Sequence, residues 1–424
     1  MLGKCYTCFP NIVLSRKLST LSLSGEGVFC PPSFVIMPKK YIFVDINQIP
    51  YIIMRQILTF LFTIIFSFTT LTVDAKRTVL RMVDKDATPK TKALYANLWL
   101  IHQRGTMFGH HDFPSYGIGW RGDAGRSDVK DVVGDHPAVY SLDMHNINER
   151  KIEFVKEVYR AGGVSMLVWH QNNPLTEGQG GYPVGTAWDN TKVVDQILEE
   201  GSAMNIKYKK RLDDVAAALK AMVDESGEPI PVIFRPLHEH TQVWNWWGKQ
   251  ATSQEEFIAF WRFIVEYLRD VKGVHNVIYA ISPQMDEVYD DAVGRLLFRW
   301  PGDEWVDFVG MDCYHGRNRS AFVANVKALD KVAELKSKPV GVTETGLENR
   351  HTSNYWTNDV LSAMRESKSA FVVAWRNEKP SHAYGPYPSS PCAADFVTYY
   401  KDAQTLFQRD LPDMYSMPKG VKVK

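Results

Sequence analysis

The sequence is poor in cysteine and carries almost no net charge. Its 424 residues include five cysteines and have a formal net charge of +1. A charge so close to zero gives no electrostatic reason to expect binding to nucleic acid or to an anionic membrane surface. Cys5 and Cys8 have CxxC spacing, but no second ligand pair accompanies them, so a zinc site is not expected there. Cys313 and Cys392 could form a disulfide or remain as two buried thiols.

Motifs of several enzyme classes are also absent. There is no GxGxxG or Walker-type loop, although an open doubly wound sheet would usually carry one after its first strand. No GxSxG elbow supports a serine esterase. The clusters 110–112 (HHD) and 238–240 (HEH) lack the HExxH spacing of zinc proteases. Metal catalysis is therefore an alternative that no metal-binding motif supports. We therefore expect neither a cofactor nor a bound metal.

The sequence also lacks an apolar run long enough to span a membrane. The run 57–68 is shorter than the roughly 20 apolar residues of a spanning helix. It follows a basic segment and precedes small residues that end at Ala75, which is the order of a signal peptide. We predict a non-native or disordered extension (1–53), a signal peptide (54–75) and a secreted or periplasmic mature chain (76–424). A retained membrane anchor is the alternative.

Short apolar runs alternate with amphipathic segments after residue 77, where no linker or repeat interrupts the chain. The runs are apolar almost throughout, as expected for strands of a parallel sheet that is buried on both faces. This alternation predicts a (β/α)8 TIM barrel with a single catalytic domain, and an open doubly wound sheet is the alternative. The predicted strands are 107–110, 138–144, 163–170, 231–239, 276–283, 308–314, 339–346 and 370–377. The predicted helices include 213–224, 255–269, 322–336 and 354–366.

Two glutamates end predicted strands of this barrel. Glu239 closes the fourth strand and Glu344 lies at the end of the seventh, which is where the active site of such a barrel is found. Cleavage of a glycosidic bond needs one carboxyl group to protonate the leaving oxygen and another to attack or to activate water. Arg235 precedes Glu239 on the same predicted strand face and could hold one carboxylate ionised. The sequence therefore predicts a catalytic pair, although either glutamate could instead form a structural salt bridge.

Aromatic residues are abundant, with 12 Trp, 19 Tyr and 21 Phe. Many of these large side chains must belong to the core. Exposed rings could also stack on the apolar C–H faces of sugars. The composition is thus consistent with a carbohydrate-binding cleft.

The motifs resemble those of glycoside hydrolase family 26, which is typified by endo-β-1,4-mannanases. Residues 235–239 (RPLHE), followed by 244–248 (WNWWG), resemble the acid/base segment of the family, and 343–346 (TETG) resembles its nucleophile segment. The resemblance implies a (β/α)8 barrel and retaining double displacement, with Glu239 as general acid/base and Glu344 as nucleophile. Further motifs that resemble the family are 109–111 (GHH), 135–143 (DHPAVYSLD), 169–170 (WH) with 173–174 (NP), and 374–377 (AWRN), spread over 77–412.

The resemblance also implies which residues surround the sugar at the cleavage point. Tyr314 would donate a hydrogen bond to the nucleophile, and Trp375 would form the floor under the sugar ring unless it only packs in the core. Trp246 and Trp247 could belong to the site or only anchor their loop. The stretch 240–243 departs from the family pattern and leaves fine specificity open. The implied substrate-binding residues are His170, Trp188, His238, Trp244, Tyr314, Trp375 and Arg376.

The predicted function is a retaining endo-β-1,4-mannanase that hydrolyses mannan, glucomannan or galactomannan. The same chemistry on another β-glycan, such as mixed-linkage glucan or β-1,3-xylan, is an alternative, as is an exo-acting mannobiohydrolase. A non-catalytic carbohydrate-binding barrel is the alternative from another class. The expected partner is a polysaccharide or oligosaccharide substrate. We expect no nucleic acid, no membrane contact of the mature protein, and a monomer.

Overall fold

The computed structural model of the protein describes residues 78–315, 318–348 and 353–424. The predicted extension (1–53) and the predicted signal peptide (54–75) lie outside the described residues. Within the described ranges, no helix has both the length and the apolar character that crossing a membrane requires.

Eight parallel strands form a closed barrel in the order of the chain. Each strand pairs with the next, and the last strand also pairs with the first, which closes the sheet. This closure confirms the predicted (β/α)8 TIM barrel and excludes the open doubly wound sheet. The strands are β1 (Thr106–His111), β2 (Val139–Asp143), β3 (Val164–Val168), β4 (Val232–Arg235), β5 (Val277–Ile281), β6 (Phe308–Cys313), β7 (Val340–Thr345) and β8 (Ser369–Ala374).

Apolar side chains fill the barrel near the beginnings of its strands. Met107 and Phe371 are buried in one cluster with residues of the helix Pro89–Leu100. The rings of Phe308 on β6 and Phe371 on β8 stack with their centroids 5.0 Å apart. A side chain at Gly341, on the intervening β7, would approach both rings to 3.0 Å, so glycine leaves room for the stack. The buried ionisable groups of the barrel strands lie towards the other ends of the strands, namely His110, His111, Arg235, Asp312 and Glu344.

The amphipathic segments between the strands are helical, with bounds that differ from the prediction. The helix predicted over 213–224 begins at Ala203, because Ser202 caps its first turn by accepting a hydrogen bond from the Asn205 backbone. The helix predicted over 354–366 is a π-helical stretch followed by one short α-helix. The α-helices are Pro89–Leu100, Asp128–Val133, Glu149–Arg160, Val194–Leu198, Ala203–Ala221, Gln254–Glu266, Ala292–Leu296, Arg319–Lys336, Ser362–Met364 and Ala393–Tyr400, and the π-helical stretches are Tyr267–Val271 and Tyr355–Leu361.

Short elements surround the barrel. Strand Thr405–Leu406 pairs with β1 and extends the sheet outside the closed ring. The 3₁₀ helices are Ile101–Gln103, Asp303–Trp305 and Gln408–Asp410. The remaining strand pairs are Thr78–Leu80 with Val421–Val423, Tyr116–Gly117 with Trp120–Arg121, and Asn377–Lys379 with His382–Ala383.

Cys313 and Cys392 are buried free thiols, so they do not form the disulfide that the sequence left open. Cys313 ends β6. The sulfur of Cys392 accepts a hydrogen bond from the indole nitrogen of Trp356 at 3.2 Å. Burial raises the pKa of the Cys392 thiol, which makes this thiol a poor nucleophile.

Candidate active site

A cleft of about 710 Å³ opens where the barrel strands end. Glu239 follows β4, Tyr314 follows β6, Glu344 lies in β7, and Trp375 follows β8. The chain thus forms a cleft at the predicted place, and both glutamates face it. The lining residues are His170, Trp188, Glu239, Gln242, Trp244, Lys249, Gln284, Asp286, Glu287, Tyr289, Arg295, Tyr314, Glu344 and Trp375.

An irregularity in β7 directs Glu344 into the barrel. The ladder between β6 and β7 shifts its register between Val342 and Glu344. Such an irregularity re-aims side chains, and here two consecutive residues bond to groups inside the barrel. The Thr343 hydroxyl donates to Asp312 at 2.6 Å, and the next residue, Glu344, accepts from Arg235 at 2.5 Å.

Both carboxylate oxygens of Glu344 have a donor. Arg235 Nη2 donates to Oε1 at 2.5 Å, and the Tyr314 hydroxyl donates to Oε2 at 2.7 Å. The Glu344 side chain is buried, with only 3% of the residue exposed. A guanidinium and a hydroxyl that both donate to a carboxylate stabilise its ionised form.

Arg235 is a fully buried cation at the end of β4. One of its nitrogens donates to both oxygens of Asp312 at 2.9 Å and to the Ser282 hydroxyl at 2.7 Å. Arg235 was predicted to lie near one of the two glutamates, and its bond to Glu344 confirms this nearness. The prediction assumed that Arg235 and Glu239 lie on one face of the same strand. This assumption is wrong, because β4 ends at Arg235 and Glu239 lies beyond the strand.

Glu239 lies in a turn after β4 and has an unusual backbone. Its φ is +52°, in the left-handed region that side chains other than glycine rarely adopt. The turn is fixed by bonds, since the Glu239 N–H donates to the Ser282 carbonyl at 2.8 Å. The indole N–H of Trp244 donates to Glu239 Oε2 at 2.9 Å. Strain of this kind persists only where the surroundings hold it, and it is frequent at functional sites.

The protonation of Glu239 differs from that of an exposed glutamate. Burial raises its pKa well above the usual value, and the carboxyl groups of Asp312, Glu344 and Asp286 raise it further. The hydrogen bond from Trp244 lowers this pKa, but it is the weakest of these effects. The surroundings therefore favour a protonated Glu239.

Three buried carboxyl groups meet at the base of the cleft. One oxygen each of Glu239, Asp312 and Glu344 lie within 4.8 Å of one another. Arg235 binds two of these groups, Asp312 and Glu344, and no cation contacts Glu239 in the described part of the chain. The group thus combines three carboxyl groups with one guanidinium, and its net negative charge is smaller when Glu239 carries a proton.

The cluster 238–240 does not converge on one point. The His238 ring bonds to His170, Glu239 faces the cleft, and His240 Nε2 lies 3.1 Å from the Phe298 carbonyl. In a strand, His238 and His240 would share a face, but this segment follows β4, so the alternation fails. In the other cluster, His111 bonds to the Ser141 hydroxyl at 2.8 Å.

His170 and His238 form a hydrogen-bonded pair beside the glutamates. His170 Nδ1 lies 3.0 Å from Asp143, and the Nε2 atoms of the two imidazoles lie 3.1 Å apart. Burial lowers the pKa of His238 well below its usual value, so this ring is neutral. Only one of the two Nε2 atoms can donate in such a pair. His170 lines the cleft, whereas His238 is buried behind it and holds the His170 ring in place.

Aromatic rings form one side of the cleft. Trp188 is 43% exposed and stacks on Trp244, with their centroids 5.4 Å apart, and on His170 at 5.5 Å. Trp375 also lines the cleft and stacks on the buried His111 at 4.0 Å. These rings offer apolar faces next to the two glutamates.

Trp246 and Trp247 anchor their loop. Both are completely buried, and their indole nitrogens donate to the carbonyls of Gln171 at 3.0 Å and His238 at 2.7 Å. Of the two roles that the sequence left open for this pair, the structure supports the anchoring one. The anchor holds Trp244, in the same loop, against Glu239.

The fold and this site can be compared with known proteins. The model of Glycosyl hydrolase family 26 matches residues 83–380. The chain belongs to this family. A solved structure of a family 26 β-mannanase from Bacteroides ovatus is 37% identical, has a TM-score of 0.72, and the match covers 78% of this chain and 98% of that one.

Two further family 26 comparisons agree. A modular endo-β-1,4-mannanase from Cellulomonas fimi is 29% identical, with a TM-score of 0.72 and coverage of 81% of each chain. A mannan endo-1,4-β-mannosidase from Bifidobacterium adolescentis is 28% identical over 375 residues, which are 79% of this chain and 36% of that relative. The chain therefore spans little more than a third of the length of that relative. Together these matches confirm the assignment to a family of glycoside hydrolases.

Arg376 is one of the predicted substrate-binding residues of this family 26 chain. It does not line the cleft. Its guanidinium bonds to Tyr116, lies 3.5 Å from Glu378 and lies 5.8 Å from the centre of the Trp375 ring. Arg376 thus lies next to the Trp375 ring without lining the cleft. Five of the seven predicted substrate-binding residues line the cleft, namely His170, Trp188, Trp244, Tyr314 and Trp375.

Sequence reasoning missed several lining residues in the segments that connect β4 to β5 and β5 to β6. No residue between β5 and β6 was predicted to bind substrate, although Gln284 and Asp286 follow β5 closely. The rule that active sites lie at the C-terminal strand ends could have found these two. The lining residues missed in this family 26 cleft are Gln242, Lys249, Gln284, Asp286, Glu287, Tyr289 and Arg295.

Proposed function

We propose that this family 26 protein is a retaining endo-β-1,4-mannanase that acts on mannan, glucomannan or galactomannan. The observation that carries the mechanism is the short distance between the carboxyl groups of Glu239 and Glu344, whose nearest oxygens lie within 4.8 Å. Retaining enzymes have carboxyl groups about 5–5.5 Å apart, whereas inverting enzymes leave about 6.5–9.5 Å for a water molecule. The distance supports direct attack by one of the two carboxylates.

The two carboxyl groups take different roles because of their neighbours. Glu344 is the nucleophile, since Arg235 and Tyr314 stabilise its ionised form while its carboxylate faces the cleft. Glu239 is the general acid, since burial and three nearby carboxyl groups keep it protonated. Different surroundings of two carboxyl groups in one site assign them different roles in this way.

The reaction proceeds in two displacements. Glu239 gives its proton to the glycosidic oxygen while a Glu344 oxygen bonds to the anomeric carbon, so the glycosidic bond breaks and the leaving sugar departs as an alcohol. Glu239, now ionised, takes a proton from water as the water oxygen attacks the anomeric carbon. The ester bond to Glu344 then breaks, and both side chains return to their first state. The ring of Trp375 forms the floor under the reacting sugar.

The choice of mannan rests on the relatives. The two similar solved structures are described as a β-mannanase and an endo-β-1,4-mannanase, and the curated relative is named for the same activity. The cleft adds rings for stacking and polar groups for hydroxyls, which any β-linked neutral sugar chain could use. Fine specificity must therefore be measured.

The test is an assay of reducing ends on a panel of β-glycans. We expect cleavage of mannan, glucomannan and galactomannan, and a rapid loss of viscosity if cleavage is internal. Proton NMR of the first products should show the β-anomer. Intact mannans beside a cleaved mixed-linkage glucan or β-1,3-xylan would contradict the substrate, and an initial α-anomer would contradict retention.

We also propose that the mature protein begins after Ala75, is secreted or periplasmic, and is a monomer. The support for secretion is the order of basic, apolar and small residues over 54–75. N-terminal sequencing of protein recovered outside the cytoplasm should begin at residue 76. Light scattering coupled to gel filtration should give the mass of one chain. Retention in the membrane fraction would contradict the first proposal, and a dimer mass the second.

A further inference from the structure

The wall of the cleft that follows β5 forms no bond to the reacting atoms in the two displacements. The wall runs from Ser282 to Arg295, and its last residues belong to the helix Ala292–Leu296. Four of its side chains that face the cleft combine one aromatic ring with polar groups of different charge. They are Gln284, Asp286, Tyr289 and Arg295.

Buried hydrogen bonds hold this wall in place. The Met285 N–H donates to the carbonyl of Asp312 at 2.8 Å. The side-chain amide of Asn325 donates to the carbonyls of Met285 and Glu287 at 2.7 and 2.9 Å. Met285 and Asn325 are both completely buried. The wall is therefore a preformed surface, which avoids the cost of ordering a loop when a ligand binds.

The wall adjoins Glu239. The Glu239 N–H donates to the carbonyl of Ser282, where the wall begins, at 2.8 Å. The Gln284 N–H donates to the hydroxyl of Thr241, two residues after Glu239, at 3.0 Å. The negative charge of Asp286 raises the pKa of the Glu239 carboxyl group. In the proposed mechanism Glu239 protonates the oxygen of the leaving sugar, so a sugar on that side of the cleaved bond would meet this wall.

Tyr289 and Arg295 give the wall an oriented ring. The guanidinium carbon of Arg295 lies 4.4 Å from the centre of the Tyr289 ring, and both residues line the cleft. A cation against the face of a ring is attracted by its quadrupole and restricts its motion. Tyr289 is only partly buried, so the ring keeps surface for a ligand. On the same wall, the carboxyl group of Asp286 accepts hydrogen bonds from the Gln284 amide and from the Tyr314 N–H, which orient both side chains at the cleft.

We propose that Tyr289, held by Arg295, is the stacking surface for the first sugar on the leaving-group side, and that Asp286 and Gln284 bind the hydroxyls of that sugar. The ligand class is a neutral β-linked hexopyranose. This inference rests on the proposed function and names a subsite of that cleft.

The same site serves an acceptor sugar. A hydroxyl oxygen of the acceptor attacks the anomeric carbon of the glycosyl-enzyme, its proton passes to Glu239, and the ester bond to Glu344 breaks. The acceptor then leaves as part of a longer oligosaccharide. Occupation of the Tyr289 surface thus favours transfer over hydrolysis.

The test compares Tyr289→Ala with the wild-type full chain on two substrates. Mannotetraose places sugars on both sides of the cleaved bond, whereas β-mannobiosyl fluoride has no sugar in its leaving group. We expect kcat/KM for mannotetraose to fall about tenfold, as when roughly 60 Å² of apolar contact is no longer buried. The value for the fluoride should stay within about twofold. The ratio of transfer to hydrolysis, measured with the fluoride and added mannobiose, should fall by a similar factor of about ten.

Two variants control this test. Val288→Ala changes the neighbouring side chain, which is 59% exposed and does not line the cleft, and it should keep the wild-type transfer ratio. Tyr289→Phe restores the ring and should recover most of the transfer. Equal losses on both substrates, or no loss on mannotetraose, would overturn the inference. A wild-type protein that cleaves neither mannose substrate would refute the proposed function itself, and this site with it.

Discussion

The surroundings of Glu344 and Glu239 differ, although both carboxyl groups face one cleft. Each oxygen of Glu344 accepts a bond, one from the guanidinium of Arg235 and one from the Tyr314 hydroxyl. Glu239 accepts a bond from the neutral indole of Trp244. Glu344 is fixed by a barrel strand, whereas Glu239 is fixed by a turn with a positive φ.

The difference shows that the position of one cation separates the two proposed roles. Three carboxyl groups are buried together, and Arg235 bonds to two of them, Asp312 and Glu344. The third, Glu239, contacts no cation in the described part of the chain, so burial raises its pKa and favours its protonated form. The two glutamates are chemically identical, and their surroundings distinguish the proposed acid from the proposed nucleophile.

The largest expected effect is that of Glu344→Ala. Without a nucleophile, no glycosyl-enzyme can form on any substrate, so kcat should fall roughly 10⁴-fold or more on both mannotetraose and β-mannobiosyl fluoride. Assays of product formation on the two substrates would measure this fall in kcat, and circular dichroism would check that the variant is folded. Glu348→Ala is a matched control, because that exposed carboxylate bonds to His382 outside the cleft. A residual rate within tenfold of the wild type would exclude Glu344 as nucleophile.

Glu239→Ala should have a selective effect. On mannotetraose, loss of the general acid should lower kcat/KM by about 10²–10⁴-fold. On β-mannobiosyl fluoride, the first step needs no proton, so its rate should be nearly retained and the glycosyl-enzyme should accumulate. A burst of fluoride release followed by a slow phase would be the signature. Equal losses on the two substrates would remove the distinction between the two glutamates.

The barrel and the two glutamates could be predicted because their signals are local. Each strand is buried on both faces and therefore appears as a continuous apolar run, as in β3 (Val164–Val168). The place of Glu344 follows from the rule for strand ends. Arg235 was expected near one of the two carboxylates, and the structure has its bond to Glu344.

The features that could not be predicted depend on contacts between distant segments. The strand β4 ends at Arg235, earlier than predicted, because the turn at Glu239 is held by Ser282 after β5. The register shift that turns Glu344 inward has no signal in the sequence of β7. The wall after β5, which includes Tyr289, has no regular spacing of apolar residues that would predict its position. Its position is set by hydrogen bonds from Asn325, in a helix farther along the chain.

Tyr314→Phe should give an intermediate effect, which tests the hydrogen bond from the Tyr314 hydroxyl to Glu344. A hydrogen bond to a charged group contributes about 1.5–3 kcal/mol, so loss of the hydroxyl should lower kcat about 10- to 150-fold. KM should change much less, because the ring remains. Tyr384→Phe is the control, since its ring packs edge-on against Tyr314 with centroids 5.6 Å apart. If both variants lost the same activity, the hydroxyl of Tyr314 would have no special role.

The smallest expected effect is a shift of the pH profile, which tests how the surroundings of Glu239 control its protonation. The kcat/KM of the enzyme should fall at high pH as Glu239 loses its proton. The Trp244 indole N–H stabilises the ionised carboxylate and so lowers its pKa. In Trp244→Phe this stabilisation is absent, so the pKa should rise and the alkaline limb should move to higher pH, by up to about one unit for a bond of about 1 kcal/mol.

The matched control for the pH profile is Trp188→Phe. Trp188 stacks on Trp244 in the same cleft, and Glu239 accepts its indole bond from Trp244. Both variants lose an indole next to the sugar, so a fall in activity alone would not separate them. Only Trp244→Phe should move the alkaline limb, because only there does the charged form of Glu239 lose a donor. A limb that moved to lower pH, or equally in both variants, would mean that another group controls it.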